Sequence, residues 1–169
     1  MMMKKVLFGL VIASAVIAGC VKSNTKCPFT NSSIIAPTDE VQALKDSLAA
    51  HGISATQDAS GFLYTINQKG AGVGVTNLCS NVSVTYKGSL FDSTVFDSTA
   101  TNQVATFQLG QVIVGWQKGV PLINKDGDIT LYIPPSLGYG PNPVKDNSGN
   151  VVIPGNSFLI FNIHITDIQ

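Results

Sequence analysis

From Gly61 to the C-terminus the chain is cut into short β-prone runs by glycine and turn residues, and one stretch breaks that pattern. Phe62-Leu63-Tyr64-Thr65-Ile66 is rich in aromatic and β-branched residues, and Gly70 to Gly74 reads as a turn. Val82-Ser83-Val84-Thr85-Tyr86 and Phe158 to Ile165 alternate apolar with other residues, a period of two that sets one face of a strand against a core. Asp126-Gly127 is a hairpin signal between Leu122-Ile123 and Ile129 to Ile133. The exception is Gly110 to Val120, too rich in glycine for a long helix but suited to one short helical segment around Trp116. The pattern predicts an α+β domain, a mostly antiparallel sheet crossed by one short helix.

A further helix is expected ahead of the sheet. Thr38 is its expected cap, Asp39 and Glu40 suit its positive end, and Val41, Leu44 and Leu48 recur at helical spacing before Gly52 stops it. Residues 21–36 are polar and turn-rich and read as a tether. Before them, Lys4, Lys5 and the apolar run from Val6 to Ala18 read as an export leader. That run is too short for a typical membrane-spanning helix. Ile17-Ala18-Gly19-Cys20 resembles a bacterial lipobox, which implies cleavage before Cys20 and acylation of that cysteine; an ordinary secretory peptide cut near Ala18 is the other reading. Several acyl chains would hold the protein stably on a membrane. Val21, with no acidic run behind it, favours an outer membrane and its periplasmic face. The expected division is a leader over 1–19, a tether and helical extension over 20–60, and a sheet domain over 61–169.

Without the leader the chain keeps 150 residues, enough for one core. It then has eight lysines, no arginine and ten acids, a balance that argues against nucleic acid as a partner. The mean hydropathy of +0.27 owes part of its value to the leader and does not mark a membrane domain. With Cys20 lipidated, Cys27 and Cys79 remain in an oxidising compartment and are expected to pair. Closing that loop would contribute about 4 kcal/mol on a chain-entropy argument. Two separate buried thiols are the alternative.

Eleven apolar or aromatic positions between Tyr86 and Phe161 carry the functional signal: Tyr86, Phe96, Phe107, Val112, Ile113, Trp116, Tyr139, Val152, Ile153, Leu159 and Phe161. They come with no nucleophile beside a base and no metal-ligand spacing, so neither metal nor cofactor is expected. A site made of such parts works by burial and shape. Phe62, Phe91 and Phe158 read as core or surface-strand residues, and Asp146 to Asn150 as a turn lacking the ligand spacing of a calcium loop. Phe-Asp-Ser-Thr occurs twice, at 91–94 and 96–99, and the odd offset would put the two phenylalanines on opposite faces of a strand. His51 and His164 are expected to lack partners that would make them bases or ligands.

The ordered set Tyr86-x-Gly88, Phe96-Asp97-Ser98, Phe107-x-Leu109-Gly110, Val112-Ile113-x-Gly115-Trp116-x-x-Gly119, Tyr139-Gly140 and Val152-Ile153-Pro154 resembles the FKBP-type peptidyl-prolyl isomerases. The resemblance implies an antiparallel sheet wrapped around one short helix, with an apolar pocket between them. It implies Trp116 as the floor, and Tyr86, Phe96, Phe107, Val112, Ile113, Ile153 and Phe161 as walls, with Val152 among the substrate-binding residues. The Ile113 N–H and the Tyr139 hydroxyl would bond peptide carbonyls, and Asp97 would accept from Tyr86 beside the twisted imide. Proline-containing polypeptides are the implied substrates, folding exported proteins among them, and macrolides of the FK506/rapamycin type the implied inhibitors. A non-catalytic prolyl-peptide-binding chaperone module is the alternative, motivated by Ala105, where many relatives carry an aromatic, and by the long polar stretch from Gly140 to Asn150.

Elementary chemistry agrees with that implication. Rotation about X–Pro meets a barrier of about 18–20 kcal/mol from amide resonance. Water favours the planar, charge-separated form over the twisted one. A dry aromatic pocket removes that advantage, and each gain of about 1.36 kcal/mol is tenfold in rate.

Overall fold

The computed structural model describes residues 26–169, so the expected leader and Cys20 lie outside the described residues. In chain order the elements are α1 (Thr38–Ala50), β1 (Thr56–Gln57), β2 (Leu63–Gln68), β3 (Asn81–Ser89), β4 (Val95–Ser98) and β5 (Ala105–Gln108). Then come α2 (Val114–Gly119), β6 (Asp128–Ile133), β7 (Val144–Lys145), β8 (Val151–Ile153) and β9 (Leu159–Ile168). The main sheet runs β1-β2-β6-β9-β3-β4, all antiparallel, with β5 beside the first half of β3 and β4 beside its second half. The hairpin β7-β8 stands apart from it.

The two helices take opposite faces of this sheet. On β6, Ile129, Leu131 and Ile133 are buried toward α2, while Tyr132 is buried with Leu44 and Leu48 of α1 and Leu63 of β2. The approach of α2 depends on its glycines. A Cβ on Gly115 would lie 2.6 Å from Ile133, and one on Gly119 would lie 2.5 Å from Leu131. Any side chain there would push the helix, and Trp116 with it, off the sheet.

The α1 prediction is met at its buried positions, Val41, Leu44 and Leu48, and at Gly52, whose φ is +66°. Its start differs. Pro37 occupies the cap position, with its carbonyl accepting from the Val41 N–H at 3.1 Å, and Thr38 is the first helical residue. Proline supplies a suitable φ of −54° without offering a donor. Glu40 accepts from the Ser136 N–H at 3.0 Å, which ties the helix to the turn before β7.

Residues 27–36, expected as part of a polar tether, are instead fastened along the domain. Cys27 is joined to Cys79 in a disulfide with Cα atoms 5.7 Å apart. Phe29 packs on the core, and the N–H of buried Ala36 donates to Ser60 O at 2.8 Å. The expected hairpin at Asp126-Gly127 is a turn only. Val120–Leu122 is a single 3-10 turn, and β6 is paired on both edges, with β2 and β9, leaving no edge for Leu122-Ile123. The two Phe-Asp-Ser-Thr copies do face opposite ways: Phe91 lies 6.3 Å from Phe158 on the α1 side, and Phe96 lies 5.5 Å from Phe161 on the α2 side. His164, expected to lack a partner that would make it a base or ligand, pairs across β6-β9 with Asp128 at 3.1 Å.

Candidate functional site

The inward positions of three strands converge on one ring. Tyr86 of β3, Phe107 of β5 and Phe161 of β9 each meet Trp116 edge to face, with centroids 5.4, 5.7 and 5.2 Å away and planes 86°, 83° and 89° apart. That geometry sets positive ring edges against negative ring faces. Trp116 is 4% exposed, and its indole Nε1 makes no hydrogen bond among the described residues. Above it opens a cavity of about 260 Å³ lined by Tyr86, Asp97, Phe107, Gln111, Val112, Ile113, Trp116, Tyr139 and Phe161.

Phe96, Val152 and Ile153 do not line this cavity. Phe96 stands behind Phe161, packed across the bare backbone of Gly88, where a Cβ would come within 2.6 Å of Phe96 and 2.8 Å of Phe161. Ile153 is buried in the core at 3% exposure, and Val152 packs against that core at the end of the β7-β8 hairpin. Gln111 enters the lining unannounced by the sequence. It is an exposed polar residue closing the 3-10 turn Leu109–Gln111, and neither periodicity nor apolarity marks it.

The polar groups are few and directed. The Tyr86 hydroxyl donates to Asp97 Oδ2 at 2.5 Å. Burial, and then the hydrogen bond to and charge of Asp97, raise the Tyr86 hydroxyl well above the ordinary tyrosine range, so it remains a donor at neutral pH. Burial and the Asp97 charge raise Tyr139 as well. The Tyr139 hydroxyl and the Ile113 N–H make no hydrogen bond among the described residues, and both residues line the cavity. The side-chain amide of Gln117 donates to Val112 O at 2.8 Å and more weakly to Gly110 O at 3.4 Å, which fixes the turn that presents Ile113. Among the described residues no three of His, Cys, Asp and Glu gather as a metal site.

Fold and site together define an α+β domain with an apolar cavity over a tryptophan and two uncommitted hydrogen-bond donors among the residues that line it. Comparison with known proteins gives that class its family. The model of the FKBP-type peptidyl-prolyl cis-trans isomerase domain matches residues 76–166, and the chain belongs to this family. It is 43% identical over 119 residues to the FKBP-type peptidyl-prolyl cis-trans isomerase FkpA of Buchnera aphidicola subsp. Schizaphis graminum, covering 70% of this chain and 44% of that protein. A probable FKBP-type isomerase of Haemophilus influenzae is 38% identical over 125 residues, covering 71% of this chain and 48% of the relative. The chain thus spans less than half the length of these curated relatives. Among solved structures, Escherichia coli FkpA superposes with a TM-score of 0.65 at 31% identity, covering 78% of this chain and 60% of that one.

Proposed function

We propose that this protein is a peptidyl-prolyl cis-trans isomerase acting on proline-containing polypeptides. The observation that carries the reading is the pairing of an aromatic-lined, tryptophan-floored cavity with two uncommitted donors, Ile113 N–H and Tyr139 hydroxyl, around the Tyr86–Asp97 bond. The prolyl ring enters over Trp116. The donors take the carbonyls of the peptide, so the backbone on either side of the imide is held while the bond between turns. In the apolar enclosure the planar imide loses the solvation that favours it over the twisted form. Tyr86 keeps the Asp97 carboxylate aimed by the cavity, where it meets the polarised imide. No bond is made or broken and no proton is transferred.

The same pocket suits apolar macrocycles of the FK506/rapamycin type, which compete with peptide in this reading. The leader pattern and Ile17-Ala18-Gly19-Cys20 support a bacterial envelope protein, lipidated at Cys20 and held on the outer membrane facing the periplasm. There the slow X–Pro step of exported proteins is the natural task. Labelling of the protein with palmitate in cells, abolished by Cys20→Ala, tests the anchor.

A protease-free isomerisation assay on residues 20–169 carrying Cys20→Ser tests the activity, with Asp97→Val and Tyr139→Phe beside it. Acceleration that falls in both variants supports the enzyme and its pocket. A folded protein that binds prolyl peptide and leaves isomerisation at its spontaneous rate would be a binding module instead.

A further inference from the structure

The residues that shape the pocket extend beyond those shared with the family. Phe29 lies outside the matched span of 76–166, two residues past the disulfide-bonded Cys27. Its ring packs directly on Gly110, so closely that a Cβ added there would lie 2.3, 2.5 and 2.7 Å from three of its ring carbons. Further fastenings of this turn come from the segment that Cys27 is bonded to and from α2. Leu78 O accepts from the Gly110 N–H at 2.7 Å and Ser80 O from the Leu109 N–H at 3.0 Å, while Cys79 O receives the Gln108 amide at 3.4 Å. Gln117 holds the Gly110 and Val112 carbonyls from α2.

Gly110 is therefore the anchor of the turn that continues into Gln111, Val112 and Ile113, all of which line the cavity. Being a glycine, it contributes no side chain to hold its own place, and its backbone is the freest in the turn. Residues 27–36, which run as a strap along the domain, do not fill the space around Gly110: a cleft of about 440 Å³ lies beside Cys27, Phe29, Leu109, Gln117 and Pro121. Without the Phe29 ring, the turn has both the backbone freedom and the room to shift.

We infer that Phe29, carried on the disulfide-fastened strap, is a positioning residue for the peptide pocket, holding Gly110 so that the Ile113 N–H is presented to the bound peptide. The inference rests on the prolyl-peptide reading above. It assigns residues 27–29 to the working site and not to a passive linker.

The test compares the mature chain with its Phe29→Ala and Phe29→Leu variants. A short peptide with one Leu-Pro bond is titrated against the fluorescence of Trp116, the single tryptophan, and isomerisation kinetics are measured in parallel. A pocket whose competent state is less populated binds more weakly in proportion. Phe29→Ala is expected to raise Kd and KM together by about three- to tenfold with kcat held within about twofold, and Phe29→Leu to fall between. Amide exchange at Gly110 to Ile113 should quicken in step. A merely structural residue would lower the unfolding midpoint and leave Kd and KM at wild-type values, and that result would overturn the inference. Should Phe29→Ala not fold, Phe29→Leu decides by the same criterion. Wild-type protein that binds the peptide without catalysis defeats the isomerase reading while the Kd comparison still judges Phe29. Wild-type protein that does not bind defeats both.

Discussion

Gly88→Ala probes the aromatic wall at its tightest point. The new Cβ would lie 2.6 and 2.8 Å from Phe96 carbons and 2.8 Å from a Phe161 carbon. Carbon atoms settle at about 3.5–4.0 Å, so both rings must retreat by about 1 Å. Overpacking of this kind costs about 1–3 kcal/mol. Against it, replacing glycine by alanine in a strand recovers about 0.5–1 kcal/mol of backbone entropy. The net expectation is a loss of up to about 2.5 kcal/mol, and a domain of this size loses about 2–4 °C in Tm per kcal/mol. The functional effect should be larger than the stability effect, because Phe161 stands 5.2 Å from Trp116 and lines the cavity. Urea unfolding and peptide titration by Trp116 fluorescence read the two effects separately. Lys87→Ala, on the exposed face of the same strand, is the control and should stay within about 0.5 kcal/mol of wild type. In a Phe96→Leu background Gly88→Ala should cost less, since one of the two opposing rings is gone. If Gly88→Ala leaves stability and peptide affinity at wild-type values, or costs the same with and without Phe96, the account of the wall is wrong.

Other perturbations address the remaining contacts. Tyr139→Phe removes a hydroxyl with no partner among the described residues, so stability should hold within about 0.5 kcal/mol. KM should rise by about three- to tenfold, the worth of one neutral hydrogen bond, as steady-state kinetics will show. Replacing Cys27 and Cys79 together by serine should cost about 2–4 kcal/mol in denaturant unfolding, since the bridge closes a separation of 52 residues. Stability should fall as pH rises above about 10. The unfolded chain releases its tyrosine protons there, while folded Tyr86 and Tyr139, both raised, keep theirs. Tyr86→Phe should flatten that decline when urea midpoints are compared between pH 8 and 11.

What the sequence disclosed and what it concealed divide along a physical line. Strand alternation is a local property, so Val82, Val84 and Tyr86 could be assigned to one face, and Leu159, Phe161 and Ile163 likewise, before any pairing was known. The cavity lining inherits part of that legibility, because Tyr86 and Phe161 are inward positions of such strands and Trp116 sits on a glycine-rich helical stretch, while Phe107 is marked by the motif Phe107-x-Leu109-Gly110 that resembles the family. Ile153 shows the limit of the reasoning: apolarity says that a residue is buried, not whether it is buried in a core or at the edge of a cavity. His164 and Asp128 meet because of the register between β6 and β9, which neither strand encodes alone. The Asp126-Gly127 turn was legible, but its hairpin was not, since partner choice belongs to the whole sheet and β2 and β9 had claimed both edges of β6.

Residues 26–36 sharpen the same distinction. Their composition, polar and short of periodicity, is that of a linker, and nothing local contradicts this. What makes them structural is one covalent bond across 52 residues, one ring laid on a glycine 81 positions away, and the buried Ala36 whose N–H donates to Ser60 O. Cys27 could be matched to Cys79 by counting thiols, yet Gly110 carries no mark that names Phe29. A glycine is read from sequence as freedom, and here the same missing side chain is a socket. The disulfide fixes where the strap lies, and the socket fixes what it presses on. Between them they extend the peptide pocket into a segment that composition alone assigns to a tether.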